Sequence, residues 1–367
     1  MKKNLLVCRS GGRTSEYMYK WLLENKRDEY NIIGIFANTG WEHHKTLEFV
    51  NNNDMENRER FGVEPVWVEA VVHIGRASCT HKIVTFETAS RNREPMIEVF
   101  KKYGIANSAY PHCTRELKEN PIHDYIKYIG WDKGQYYTAL GIRIDEPKRI
   151  LPQSAMPLRK KYSITTEQLM DVRKSFVLGY QDADNQRRFD LEPITLAAEM
   201  ASERLLDMGF YDLESKLNRD FWDSFCYAVE KKFGDQNKVY PLVDWHPEQP
   251  DKLDILDWWE GHHFDLGIPE WLGNCVGCFR KSGRKCMKAY RDAPEQFINS
   301  MEIDMGHIGP NKINGAHVDE PRTMYRNYNT CQSIIKMFND VDHGWLNKDD
   351  PDYMNEGCAS SCEPFAN

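Results

Sequence analysis

Ser10-Gly11-Gly12-Arg13-Thr14-Ser15 stands where a short apolar run gives way to a helical pattern. Two adjacent glycines let a backbone turn sharply and keep side chains away from the amides. A helix starting directly afterwards adds the positive end of its dipole. Ser10, Thr14 and Ser15 supply hydroxyl donors, and Arg13 supplies a charge. The chemistry that suits this stretch is the binding of an acidic group such as phosphate or sulfate. An ordinary strand-to-helix turn would use the same residues. The spacing is neither that of a Walker loop nor the dinucleotide G-x-G-x-x-G.

A second group is built from thiols. Cys275, Cys278 and Cys286 fall within "GNCVGCFRKSGRKC". A Cys-x-x-Cys pair brings two thiolates to one metal across a tight turn, which Gly273 and Gly277 are expected to permit. Arg280, Lys281, Arg284 and Lys285 would lower the thiol pKa values and offset the charge of a cluster. Both a zinc ion and an iron–sulfur cubane take four ligands, so a fourth is wanted. Spacing alone does not choose the metal. Arg115 and Lys118, three apart on an expected helix beside Cys113, would face one way and could clamp an anion; solvated helix charge mixed with Glu116 and Glu119 is the plainer account. Cys358 and Cys362 lie in a tail that could deliver a thiolate or close a reversible disulfide, or could simply fray. Cys8, Cys79, Cys226 and Cys331 read as packed thiols. His43, His44, His262 and His263 lack metalloprotease spacing and read as polar surface. His81 and Lys82 follow the third strand and could reach substrate. Trp258 and Trp259 read as packing a short helix.

The elements that must position these residues alternate. Lys3 to Cys8, Asn31 to Gly40, Val63 to Val72 and Gln135 to Arg143 read as strands. Helical patterns follow at Tyr17 to Glu24, at Glu94 to Ile105 with Gly104 as C-cap, and from Thr114 to Gly130 with a break at Pro121. This alternation implies an α/β fold: a mostly parallel sheet with helices on both faces. The expected organisation is a nucleotide-binding α/β domain over 1–154, a helical insertion or lid over 155–238, and a loop-rich, Cys-rich, metal-stapled region over 239–367.

Composition sets the bounds. The chain has 367 residues, 41% of them hydrophobic, so a packed interior is expected. A net charge of -8 argues against a protein that lives by non-specific grip on nucleic acid. The basic start "MKKNLLVC" breaks at Arg9 and does not read as a signal peptide. No stretch approaches the ~20 apolar residues of a membrane span. The expected location is the cytoplasm, with no membrane partner. The chain has ten cysteines, and in that compartment those at close spacing point to metal or redox chemistry.

Strand, then S-G-G-x-x-S, then helix resembles the PP-loop of the adenine nucleotide alpha hydrolase superfamily, which includes ATP pyrophosphatases and phosphoadenosine phosphosulfate (PAPS) reductases. "FANTGWEHHKTLEFV", "PHCTRELKENPI", "TALGIRIDEPKRI" and "YPLVDWHPEQPDKLDILDWW" resemble, in order, further motifs of the PAPS reductase family. The matches run from Leu5 to about Arg149 and resume from Tyr240 to Cys286. The resemblance implies that Ser10, Gly11, Gly12, Arg13, Thr14 and Ser15 hold the phosphates or sulfate of an adenine nucleotide. Adenosine is implied at the end of the second strand, at Phe36, Ala37, Asn38 and Thr39, and near Gly141, Ile142 and Arg143. Ligands of open α/β sheets sit at strand carboxyl ends, which agrees. Iron–sulfur members of the family join cysteines of the Arg/Lys segment to a later Cys-x-x-Cys. By that resemblance Cys113, Cys275, Cys278 and Cys286 would hold a 4Fe-4S cluster, with Zn²⁺ as the alternative. His112-Cys113 stands where those members carry Cys-Cys, and Cys286 would replace the missing thiol.

Three functions follow as expectations. The first is a PAPS reductase-family enzyme, with Arg115, Lys118, Arg143 and the Cys358 thiol acting on an adenylyl sulfate (PAPS or APS). The family's C-terminal Glu-Cys-Gly-Leu-His is absent; Glu356-Gly357-Cys358 resembles it only loosely. The second is an ATP-dependent, Mg²⁺-assisted adenylating sulfurtransferase, similar to tRNA thiolases and DNA phosphorothioation enzymes, with a nucleic-acid acceptor. Either enzyme would call on a sulfur or electron donor protein. The third is a nucleotide-binding sensor without turnover.

Overall fold

The computed structural model describes residues 2–186, 193–233, 238–298, 312–313, 316–317 and 323–348. Strand β1 (Lys3–Arg9) is buried from Leu5 onward on both its faces, as an interior strand demands. Helix α1 (Arg13–Asn25) follows, then β2 (Tyr30–Ala37), α2 (His44–Phe61), β3 (Val66–Val71) and β4 (Thr80–Val84). Next come α3 (Glu94–Tyr103), a composite helix α4 (residues 112–128) and β5 (Tyr136–Ala139). Helices α5 (Thr166–Gln186), α6 (Pro193–Asp207) and α7 (Arg219–Phe233) precede β6 (Lys238–Val239). Helices α8 (Lys252–Glu260), α9 (Gly283–Asp292) and α10 (Cys331–Asp340) come last.

The six strands lie in the order β4-β3-β2-β1-β5-β6. β2 runs parallel to β3, with Phe36 opposite Trp67, and β5 parallel to β6. β4 is antiparallel to β3 at one edge. The sheet is therefore mixed and mostly parallel. The sequence reading missed β4 because Thr80–Val84 lacks an apolar alternation: only Val84 is buried. It missed β6 because two residues carry no period.

The described residues form two compact units. One lies within Met1–Leu5, Asp28–Asn31 and Lys133–Trp258. Its core includes Leu169, Val172, Phe176, Leu205, Phe221 and Phe225. There the Arg173 guanidinium is fully buried against Asp244, with Nη2 3.1 Å from Oδ2, and lies over the Tyr240 ring.

The other unit lies within Leu6–Arg27, Ile32–Asp132 and Trp259–Asn367. Phe36, Leu47, Val50, Trp67, Val84 and Ala89 pack into one cluster. α2 buries Thr46, Leu47, Phe49, Val50, Asn53, Asp54 and Asn57, a stripe of helical period. It ends at Gly62 in the left-handed region (φ 65°), the usual glycine C-cap. Gly104 caps α3 as expected, its amide bonding the Phe100 carbonyl. The region after Tyr240, expected to be loop-rich, carries α8, α9 and α10 among its described residues. Its helical periods are short and dispersed among Cys, Gly and Trp.

Candidate functional site

The glycine loop has the geometry its sequence suggests at one glycine and not at the other. Gly11 sits at φ +75°, and a Cβ there would lie 2.7 Å from Thr46 Cγ2. Gly12 is the N-cap of α1 in extended conformation (φ -96°) with no side-chain cap. Helix first-turn amides have no intrahelical acceptor, so this end of α1 presents donors. Ser10, Gly12, Arg13 and Thr14 are half-buried, while Gly11 and Ser15 are buried. Ser15 braces the turn: its hydroxyl accepts from the Ser10 amide at 3.1 Å and donates to the Gly12 carbonyl at 3.0 Å. Arg13 does not point its charge at an empty loop. Its Nε and Nη2 contact Asp265 Oδ1 and Oδ2 at 2.6 and 2.5 Å. Trp259 Nε1 donates to the Arg13 carbonyl at 3.0 Å.

Beneath the loop lies a buried ionic group. Arg9 bonds Glu16 through Nη2 at 2.8 Å and Asp54 through Nη1 at 2.5 Å. Trp67 Nε1 also donates to Asp54, at 2.6 Å. Burial pushes the Glu16 carboxyl above its ordinary range, against the pull of Arg9. This group fixes the junction of β1 and α1.

The thiols come together in the same unit. Cys113, Cys275 and Cys278 line one cavity with Thr39, Trp41, Lys118 and the apolar side chains of Met96, Phe100, Leu117, Phe279 and Met324. The hairpin is seated by main chain: Cys275 pairs with Glu42 across an antiparallel bridge, and the Val276 amide bonds the Trp41 carbonyl at 3.0 Å. Thr39 Oγ1 lies 3.3 Å from Cys275 Sγ and donates to Glu42 at 2.8 Å. Lys281, buried, donates to the carbonyls of Cys275 and Val276 at 2.8 and 3.0 Å. Tyr325 Oη donates to the Gly277 carbonyl. The sharp turn rests on Asn274 (φ 55°) and not on the glycines: Gly273 has φ -64°, and Gly277 is not among the residues of positive φ.

Three cysteines meet at this cavity, one short of the four ligands that a zinc ion or an iron–sulfur cubane takes. The rest of the lining is mostly apolar, with Thr39 and the buried Lys118 among it. Tetrahedral zinc thiolates require sulfurs roughly 3.8 Å apart, from a Zn–S distance of about 2.3 Å. Among the described residues, the only three ligand atoms within 4.8 Å of one another belong to Glu56, His262 and His263. The three cavity cysteines do not form such a group.

Other expected site residues fall elsewhere. Cys286 does not line the cavity; it is buried on the first turn of α9, Sγ 3.9 Å from the Lys281 carbonyl. Arg115 and Lys118 do not share a face. Lys118 is buried at the cavity, whereas the Arg115 side chain is 59% exposed and pairs with Glu116. The reason is that Arg115–Glu119 is a π-helical segment, whose wider turn rotates residues three apart away from each other. It ends where Asn120–Tyr128 begins, so Pro121 sits in a first turn. The Phe36 ring is core, leaving only its main chain for a ligand. Asn38 is fully buried; its amide donates to Glu69 at 2.6 Å and to the Ser90 carbonyl at 2.9 Å. Gly141 and Arg143 follow β5 in the other unit, where Arg143 is held by Asp145 at 2.9 Å and by Glu146. His81 Nδ1 lies 2.6 Å from Asp124, and Lys82 pairs with Glu69. Cys358 and Cys362 lie outside the described residues.

Trp259, Asp265 and Lys281 were not foreseen in these roles. Only "FDLG", an acidic residue before a glycine turn, offered a signal. His263 is exposed as expected, but His262 is half-buried, its Nε2 3.0 Å from Glu56, which Lys20 also holds at 2.6 Å. Arg60 contacts the second Glu56 oxygen at 3.2 Å. Two cations already satisfy that carboxylate, which makes a poor metal ligand of it.

Among curated proteins, the chain is similar to an uncharacterized nin region protein, ORF290, of Escherichia phage lambda. The two are 26% identical over 368 residues, covering 98% of this chain and 94% of the phage protein. No protein-family model and no solved structure matches the chain. No helix among the described residues is long and apolar enough to cross a membrane.

Proposed function

We propose that the protein is an enzyme of the PAPS reductase type, which binds an adenine nucleotide at Ser10–Ser15 beside a 4Fe-4S cluster and carries out sulfonucleotide chemistry in the cytoplasm. The observation that supports it most is the meeting of Cys113 with Cys275 and Cys278 around one cavity, in the unit that also carries the glycine loop. Residues more than 160 apart in sequence converge there, in the pairing that the motif resemblance implies.

Cys113, Cys275 and Cys278 would hold the cluster, with Cys286 the nearest thiol in sequence for a fourth position. When bound, the cluster supplies a polarisable charge beside the nucleotide. The chain's own residues do the rest. The first-turn amides of α1 and the Ser10 and Thr14 hydroxyls meet charge on the nucleotide's acidic end. Lys118 places an ammonium at the cavity wall, and Thr39 ties the end of β2 to Cys275. In the sequence, Cys358 is the thiol that attacks sulfonate sulfur. The S–O bond breaks with its electron pair leaving on the nucleotide phosphate. Attack by Cys362 then releases sulfite and leaves a disulfide.

The test is anaerobic purification followed by iron and sulfide analysis, then incubation with PAPS, APS or ATP. A brown protein that releases sulfite supports the reading. Release of AMP and pyrophosphate from ATP would replace it with adenylation, and a colourless zinc protein would overturn the cluster.

A further inference from the structure

The residues around Arg13 carry an inference that rests on the nucleotide reading of the loop and deepens it. We propose that Asp265 is a built-in competitor for the loop's acidic ligand, a carboxylate that holds the Arg13 fork until a more highly charged anion displaces it.

Arg13 is the first residue of α1, inside the glycine loop. Its guanidinium grips Asp265 through two parallel bonds, Nε to Oδ1 and Nη2 to Oδ2. That is the geometry with which arginine takes a phosphate. The carboxylate therefore occupies the donors that a phosphate would use.

The carboxylate is built into its place. Residues 259–267 form a strap fastened at several points. Trp259 donates to the Arg13 carbonyl and packs edge-on against Phe49. His262 bonds Glu56, and Phe264 lies against Phe49 and Trp259. Gly267 turns at φ +62°, and its amide donates to Asp265 Oδ2 at 3.2 Å. Lys45 Nζ reaches the Gly267 carbonyl at 3.4 Å. The Arg13 and Asp265 side chains are nevertheless 23% and 34% exposed, so an incoming anion can exchange with the carboxylate without unfolding the strap. A monoanion gains little over a fixed carboxylate. A phosphosulfate or a diphosphate, with two linked acidic groups, gains the loop amides as well, so the device selects these over monoanions.

The test is calorimetric titration of PAPS and of inorganic pyrophosphate into the full-length, anaerobically purified protein. The wild type is compared with Asp265→Asn, Asp265→Ser, Arg13→Gln and the Asp265→Asn/Arg13→Gln double variant, each checked for an unchanged thermal melt and iron content. Asp265→Asn should tighten both ligands by roughly threefold to tenfold at low salt. Arg13→Gln should weaken them, and in its background the Asp265→Asn gain should vanish. Weaker or unchanged binding in both well-folded Asp265 variants would overturn the competitor while leaving the loop's role intact. No binding by the wild type or any variant would remove the nucleotide reading itself, and the competitor with it.

Discussion

Gly11 shows how much one residue can decide. At φ +75° an L side chain is strained, and its Cβ would meet Thr46. Gly11→Ala should lower stability by about 1–3 kcal/mol, read by urea unfolding, and should abolish PAPS binding measured by calorimetry. Cys278→Ser should yield protein with far less bound iron than wild type while its circular dichroism stays native. Glu56 gives a pH signature. Burial works against its charge, but Lys20 and His262 overcome that and draw the carboxyl down to about 2. Its folded pKa lies below the unfolded value, so its contribution is complete above about pH 4.3 and drains away as pH falls toward 2. Glu56→Gln should flatten the melting temperature over that window; an unchanged slope would refute the assignment.

Among the elements, the junction of β1 with α1 is the one that the site leans on. Arg9, Glu16 and Asp54 are all buried there, with Arg9 bonded to both carboxylates. Removing one member of such a group strands the others in a medium that cannot solvate them. Arg9→Met should cost about 3–5 kcal/mol in denaturant unfolding, far more than the loss of an exposed pair. Helix α4 makes a different point. Its π segment buries Lys118 while exposing Arg115, a division that α-helical spacing does not foretell.

At the scale of the molecule, the unit that carries the loop and the thiols is assembled from separated stretches of chain. Residues 259–298 return to cover what residues 6–132 leave exposed: Trp259 packs on Phe49, and the Cys275 hairpin pairs with residues 39–42. A fragment ending at residue 132 should therefore lack a cooperative urea transition, whereas the full chain should show one. On the proposed cluster reading, chelation should lower the full chain's melting temperature, because a ligand held only by the folded state stabilises it by mass action.

Much of this was legible in the residues themselves. The first strand, the sharp turn at Gly11, the helix after it, and the Cys-x-x-Cys turn are local consequences of burial period, backbone freedom and turn chemistry, which act over a few residues. The mostly parallel sheet followed from their alternation. The edge strand β4 escaped because an exposed strand has no hydrophobic period to display. Cys113 beside Cys275 and Cys278 was expected through the motif resemblance alone; what only the folded chain decided are the absence of Cys286 from that cavity and the pairing of Arg13 with a carboxylate 252 residues away. Those depend on where the chain returns after the helices of residues 133–258, and no local preference encodes that return.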